Sequence, residues 1–354
     1  MRVNRSLTRR TILASLIGLG GTVWSRASRA QAPAPSEPRQ PLAIQFTLDR
    51  PIDAAAAPFV MAGVSGLFSA EGLAVTTNVA SGSSDAIARV GAGSSDFAVV
   101  DINTLIRFRD NKATAPVKAV FVLFNQPPYA IIARKSRGIR ALPDLEGKNL
   151  GVAEGDLSIR LWPAVARQNG IKLSQVKQNS ISPAVREPML SAGQVDAVTG
   201  FSYLSAVNLR DRGVPADDLA VLRFADHGCE AYGCALIVNP QLAAAKTEAV
   251  KGFVRAVIVG THIAIKDPGR AATETVSRMD GGSRELELER LNTVIRDNIL
   301  TAEVKQHGIG GIDQARFERS IDQIAEDFKF QKRPTVSDIF DDSFLPPVIG
   351  RLIN

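Results

Sequence analysis

Cysteine, histidine and the larger aromatics are scarce in this 354-residue chain, which has two Cys, three His, three Tyr and two Trp. Two cysteines cannot build the disulfide framework of a small secreted scaffold. Histidines without a second ligand cluster do not supply a zinc ribbon or finger, so no metal is expected. Also missing are a GxxxxGK[ST] phosphate loop, a strand-embedded GxSxG, an HExxH pair and a dinucleotide fingerprint with its downstream acid. The glycine-rich "GIGG", Gly308 to Gly311, follows no strand, and "GLGG" belongs to the N-terminal segment. The common cofactor and hydrolase chemistries therefore have no motif here, and the chain is expected not to be an enzyme and to need no cofactor. There is no tandem repeat at solenoid periods. With 45% apolar residues but no run of the roughly 20 needed to span a bilayer, the composition is that of a globular soluble chain.

What is present begins at the N-terminus. Arg9 and Arg10 precede an uncharged run from Thr11 to Ser25, broken by Gly18, Gly20 and Gly21, and then small residues with alanine spacing. This is the pattern of a cleavable export signal of the twin-arginine type, ending at Ala30 or Ala32, followed by a Pro/Ala/Gln-rich tether. The expected division is residues 1–30 as signal and 31–41 as tether. Residues 1–30 carry six arginines and no acid, so the net charge of +6 leaves with the signal. The near-neutral remainder offers no electrostatic case for nucleic acid or an anionic membrane. Its roughly 320 residues exceed the usual size of one core, which makes two lobes the default.

Along the remaining chain, strands and helices alternate. "LAIQFTL", Leu42 to Leu48, is followed by Asp53 and Pro58 at a helix start. Gly72 suits a left-handed helix cap, and Val75, Thr77 and Val79 alternate as in a strand. The same order continues to "LAVLRF", Leu219 to Phe224, which predicts an α/β fold with largely parallel sheet covered on both faces. After Pro240 the pattern turns almost wholly helical, with Phe253, Val257 and Ile258, and Phe317, Ile321 and Ile324, as core stripes. In such folds ligands collect beyond the carboxyl ends of the strands. The acids Asp49, Asp53, Asp101, Glu154 and Asp156 are placed there, with Asn103 beside Asp101. Each could equally be a helix cap; their convergence is the informative part. With few Lys or Arg in the same loops, the crevice suits a small ligand bearing an amine or other hydrogen-bond donors. Ser81 and Ser83, in "SGSSD", could instead cradle a small oxyanion. Tyr129, Phe201, Tyr203 and Tyr232 also lie at or beside strand ends, where aromatic faces could sandwich a planar ligand or simply pack.

"DHGCEAYGC", Asp226 to Cys234, holds both cysteines and His227. Zinc ligation and a Cys/His nucleophile pair rest on proximity alone. In an oxidising compartment Cys229 and Cys234 could close a short disulfide, the alternative being two small packed thiols.

The run "DAAAAPFVMAGVSGLFSAEGLAV" resembles the opening of periplasmic substrate-binding proteins of the nitrate/sulfonate/taurine and thiamine-pyrimidine-precursor class of ABC importers. The match continues through "SGSSDAIARVGAGSSDFAVVD", "PPYAIIARKSRGIRALPDLEGKNLGV", "LSAGQVDAVTG" and "YGCALIVNPQLAA", covering most of Asp53 to Ala245. The resemblance implies the two-lobed type II binding-protein fold, with crossover strands at about Tyr129 to Lys135 and Tyr232 to Asn239. Lobe one would be residues 42–132 with 236–354, and lobe two 133–235. It further implies a periplasmic monomer that closes on a small solute, with Tyr232 facing the cleft, and delivers it to an inner-membrane permease with a cytoplasmic ATPase. Cys234 stands where relatives often carry a polar residue such as Asn. Eukaryotic members of the superfamily make a thiamine pyrimidine in the cytosol and carry a cysteine-rich cluster, which this chain lacks. If the twin-arginine reading is right, replacing Arg9 and Arg10 by Lys will strand the precursor inside the cell, as read by fractionation and blotting. Unaltered export of that variant would assign the general secretory route instead.

Overall fold

A computed structural model describes residues 40–110 and 115–353; the expected signal and most of the tether lie outside the described residues. Short apolar runs bounded by turns give ten strands among the described residues. In chain order these are β1 Leu42–Leu48, β2 Leu73–Val79, β3 Phe97–Asp101, β4 Lys118–Val122, β5 Tyr129–Arg134, β6 Asn149–Ala153, β7 Lys177–Ile181, β8 Ala197–Phe201, β9 Leu219–Arg223 and β10 Cys234–Val238. They form two five-stranded sheets, ordered β2-β1-β3-β10-β4 and β7-β6-β8-β5-β9. In each sheet one strand runs against the rest: β10 is antiparallel to β3 and β4, and β5 is antiparallel to β8 and β9.

Those two strands are the ones reached on crossing between sheets. The chain leaves the first sheet after β4 and enters the second as β5; it leaves the second after β9 and returns as β10. The strands expected to span the two halves therefore do not. Tyr129–Arg134 lies wholly in the second sheet and Cys234–Val238 wholly in the first. The sheet boundaries fall near residues 128 and 233 rather than 132 and 235, because each crossing is a loop and its strand starts only where ladder partners become available.

Strand periodicity sorts the core. In β3, Phe97 and Val99 face one hydrophobic cluster while Ala98 and Val100 face another. The first cluster is covered by the helix Thr247–Lys266, which sets Phe253, Val257 and Ile258 against the sheet. The second is covered by the helices Ser83–Ala92, Ile102–Phe108 and Gln314–Ala325, the last through Phe317, Ile321 and Ile324. Both helical stripes read from the sequence thus face core. Asp53 caps the turn leading into the helix Ala57–Val64 by accepting the Ala55 N–H at 2.8 Å. That helix lies so close to Thr247–Lys266 that a Cβ on Gly260 would sit 2.3 Å from the Pro58 carbonyl oxygen.

Phe253 is fully buried among three other phenylalanines, stacked on Phe97 at 4.1 Å between centroids and touching Phe46 and Phe68. Phe253→Ala removes the plug of this cluster and is expected to destabilise the fold by about 3–5 kcal/mol, measured as a lower urea midpoint with an unchanged slope.

Candidate functional site

The carboxyl ends of β1, β3, β6 and β8 converge on a cleft between the two sheets. Its deeper part, about 490 Å³ with the mouth included, has apolar walls from Leu48, Phe59, Val99, Phe124 and Cys234. Its polar groups are Asp49, Arg50, Asp53, Asp101 and Tyr203. An outer part of about 750 Å³ adds Gly82, Ser83, Glu154, Asp156 and Arg186, and Asp49, Arg50 and Phe201 line both. Each part is in the size range of small-molecule sites.

Arg50 is the centre of the polar network. Its Nε and Nη2 donate to the two oxygens of Asp49 at 2.9 and 3.0 Å, a bidentate pair. Its guanidinium carbon lies 4.9 Å from the Phe201 ring centroid, a cation–π contact reaching across the cleft. Burial opposes the Arg50 charge, but Asp49 with Tyr203 and Asp53 more than offsets it and holds the guanidinium well above its ordinary value. Ser83 Oγ donates to Asp49 Oδ2 at 2.5 Å and accepts the Asp101 N–H at 3.0 Å, tying the ends of β1 and β3 together.

Asp53 and Asp101 are less well compensated. Asp53 accepts Tyr203 OH at 3.2 Å as well as Ala55 N–H, yet burial raises its pKa against the pull of Arg50. Asp101 caps the helix Ile102–Phe108 through Thr104 N–H at 3.0 Å and accepts a very short bond from Tyr129 OH. Burial nonetheless raises Asp101. Asn103 Nδ2 donates to Tyr129 OH at 3.0 Å and to the Tyr232 carbonyl at 2.8 Å. Tyr129 and Asn103 therefore form a layer behind Asp101, and neither lines the two cavities.

On the second-sheet side, Asp156 is held by Ser158 and by Thr199 Oγ1 at 2.7 Å, and Glu154 is exposed at the rim. Phe201 and Tyr203 stand at the β8 end with rings 6.1 Å apart. Of the expected site residues, Asp49, Asp53, Asp101, Phe201 and Tyr203 meet in the deep part and Ser83, Glu154 and Asp156 in the outer part.

Besides Asn103 and Tyr129, two further expected residues, Ser81 and Tyr232, do not line the cleft. Ser81 is exposed, and its N–H and hydroxyl both donate to Asp85 within its own helix turn. Tyr232 does not face the cleft. Its hydroxyl donates to Glu303 at 2.8 Å and accepts the Asp313 N–H, and its ring lies under Arg316, all on the C-terminal helices. The cysteines are free. Gly228, at φ 87°, turns Cys229 into one hydrophobic cluster while Cys234, the first residue of β10, packs against the other and on the cleft wall, so no disulfide joins them. Burial pushes the Cys229 thiol up to about 12 and the Cys234 thiol well above its ordinary value, which leaves neither as a thiolate. Among the described residues no group of three His, Cys, Asp or Glu is placed to hold a metal ion.

Sequence reading missed Arg50 and Arg186, both on the cleft. The signal for Arg50 was in plain view in "LDRP": a charge at the end of a buried strand, next to the acid that pairs with it.

The raised carboxyls carry a pH signature. Above the ordinary value of 3.8, folded Asp53 and Asp101 keep protons that the unfolded chain has released, so their contribution to stability falls as pH rises through the raised values. Asp53→Asn removes one such group. The unfolding free energy of the variant should gain on the wild type as pH rises above the ordinary value of 3.8 and level off once pH exceeds the raised value, as read by urea titrations at each pH. A constant offset between the two curves would refute the assignment.

Comparison with known proteins follows the same lines as the geometry. The chain is 27% identical over 215 residues to the 4-amino-5-hydroxymethyl-2-methylpyrimidine phosphate synthase of Legionella pneumophila, covering 60% of this chain and just under two-thirds, 66%, of that one. A synthase of the same name from Aspergillus parasiticus is 26% identical over 230 residues, covering 62% of this chain and again 66% of the relative. Among solved structures, the periplasmic aliphatic sulphonate binding protein SsuA of Escherichia coli superposes with a TM-score of 0.68 at 15% identity, covering 84% of this chain and 91% of that one. The alkanesulfonate-binding SsuA of Xanthomonas axonopodis pv. citri, bound to MOPS, gives 0.63 at 16% identity over 85% and 99%. At such identity the likeness shows the fold, which is that of periplasmic binding proteins. The family described as NMT1/THI5 like matches residues 53–271, more than half of the sequence, and the chain belongs to that family.

Proposed function

We infer that the protein is the extracytoplasmic solute-binding component of an ABC importer, and that its solute is a small planar or amine-bearing nitrogen compound. The observation that carries the ligand class is the charge count of the deep cavity. Asp49, Asp53 and Asp101 line it with Arg50 as their one guanidinium partner, and Asp53 and Asp101 are raised by burial. A cation or a donor-rich ring entering there relieves the cost of burying those acids, while Phe201, Phe124 and Tyr203 offer flat apolar faces. Support for transport comes from the binding-protein fold and a cleft built from both sheets, and an export signal is expected from the sequence. In this reading, residues 40–128 with 234–353 form one lobe and 129–233 the other, and hinge closure buries the solute and presents a surface to an inner-membrane permease.

A second reading is an oxyanion site in the outer cavity. The helix Ser83–Ala92 begins at Gly82 with no side-chain cap, and Arg186 lines the same space. An enzyme reading draws on the names of the curated relatives. Against it, neither thiol is activated, and both are pushed up by burial.

A thermal-shift screen of pyrimidines, amines, sulfonates, carboxylates and nitrate separates these. A ligand at 100 times its dissociation constant stabilises the folded state by about 2.7 kcal/mol. Amines or pyrimidines are expected to raise the melting temperature, and Asp53→Ala and Phe201→Ala to abolish the rise while Arg186→Ala preserves it. A shift by oxyanions alone, lost in Arg186→Ala, would overturn the amine reading, and turnover of any compound would replace binding with catalysis.

A further inference from the structure

The two crossings between the sheets are held by one side chain. Arg316, on the helix Gln314–Ala325, uses all five of its N–H groups. Nε donates to the Glu230 carbonyl at 3.0 Å and Nη2 to the Ala231 carbonyl at 2.9 Å, both on the second crossing. Nη2 also donates to the Asn125 carbonyl at 2.7 Å, and Nη1 to Asn125 Oδ1 at 3.1 Å, on the first. The remaining Nη1 hydrogen meets Glu303 Oε2 at 2.9 Å, and the guanidinium carbon lies 4.0 Å from the centroid of the Tyr232 ring. Glu303 closes the network by accepting Asn125 Nδ2 and Tyr232 OH, each at 2.8 Å.

The backbone of each crossing changes allegiance over a few residues. On the first, Gln126 exchanges bonds with Asn298, N–H to carbonyl and carbonyl to Nδ2, both at 3.1 Å, whereas the Pro128 carbonyl accepts Ser202 N–H at 2.7 Å from the second half. Pro127 lies between. On the second, the His227 carbonyl is held by Asn169 Nδ2 at 2.9 Å in the second half, and the Gly228 carbonyl by Gln323 Nε2 at 2.7 Å on the C-terminal helix. The Gly228–Cys229 peptide is bonded to both sides, its carbonyl to Gln323 and its N–H to the Phe224 carbonyl of the second half at 3.1 Å.

We propose that Arg316 is the positioning residue of the hinge: it locks residues 125 and 230–231 to the C-terminal helices as one unit, about which the second half moves in lobe closure. This rests on the solute-binding reading for its purpose but not for its test. Phe124 and Cys234, which flank the locked segments, are walls of the deep cavity, so the lock also fixes the shape of the wall on which the solute closes.

The test is hydrogen–deuterium exchange of the ligand-free protein, wild type against Arg316→Lys. Lysine keeps the charge beside Glu303 but has three donors on a point charge in place of a planar five-donor fork. If the fork couples the crossings, exchange in peptides covering residues 123–126 and 229–233 rises together by about tenfold or more, while peptides of β3 stay at the wild-type rate. Gln323→Ala, which leaves Arg316 in place, should loosen residues 228–231 alone. Wild-type exchange in Arg316→Lys, loosening of one crossing only, or an equal rise in β3 would each overturn the proposal. So would an unchanged Gln323→Ala. Because no solute is added, a failed ligand screen leaves these results intact, and a successful screen does not rescue them.

Discussion

Two short loops are all that join the sheets, and each feeds a strand that runs against its neighbours on both sides. β10 enters between β3 and β4 with Cys234 opposite Asp101, and β5 enters between β8 and β9 with Tyr129 opposite Phe201. Because these are the first residues of their strands, ladder register places them at the crossing itself. The cleft wall is thus fixed by backbone pairing. Slipping β10 by one residue would turn Cys234 away from the cavity and expose the Leu236 and Val238 face that Phe253 and its neighbours cover. The apolar core and the site share the same constraint.

That constraint brings acids together at a cost. Asp49 and Asp101 end up buried, with half-buried Asp53 beside them, because three strands or turns finish at the same edge, and each has been given work that offsets part of the penalty. Asp49 is neutralised by Arg50, Asp53 caps a turn, and Asp101 caps a helix and accepts the Tyr129 hydroxyl hydrogen bond. The structural and ligand-facing roles are not alternatives here. A carboxylate pinned by a cap is held in one rotamer, which is what a binding group needs. What caps cannot remove is the desolvation of two of the three charges, and it persists as raised carboxyl pKa values.

Local patterns made most of the framework legible. The strands at Leu42, Phe97 and Tyr129, the Asp53 cap and the two late helical stripes all follow from residue periodicity and turn chemistry, so nearest neighbours in sequence sufficed. The acids could be listed because strand ends are predictable. Long-range direction was beyond reach. Tyr232 looked like a cleft residue by position, but its ring turns to the opposite side to lie under Arg316, more than eighty residues later in the chain. Ser81 and Ser83 sit two residues apart, and only the second reaches Asp49, the first being taken by Asp85. Of the two open readings of the cysteines, the packed thiols hold for a related reason: spacing allowed a disulfide, but a left-handed Gly228 and a strand start at Cys234 send the two thiols to different clusters. Arg50 escaped notice because counting charges over several loops hid one cation at the centre of them.

On the solute-binding reading, the contacts that span the cleft set the terms of recognition. Tyr203 OH reaches from the second half to Asp53 at 3.2 Å, and Phe201 lies over Arg50. Both are contacts among the protein's own groups, which thus already satisfy part of what a solute would supply. A ligand shifts the open–closed balance only by the difference in its affinity for the two states. It must therefore do more than touch Asp53 and Phe201; it must bind them better than Tyr203 and Arg50 already do. A neutral apolar molecule would displace these contacts and leave the acids uncompensated. A group that donates hydrogen bonds to Asp53 while stacking on Phe201 replaces both contacts at once, and it gains more in the closed cleft, where water is excluded, than in the open one.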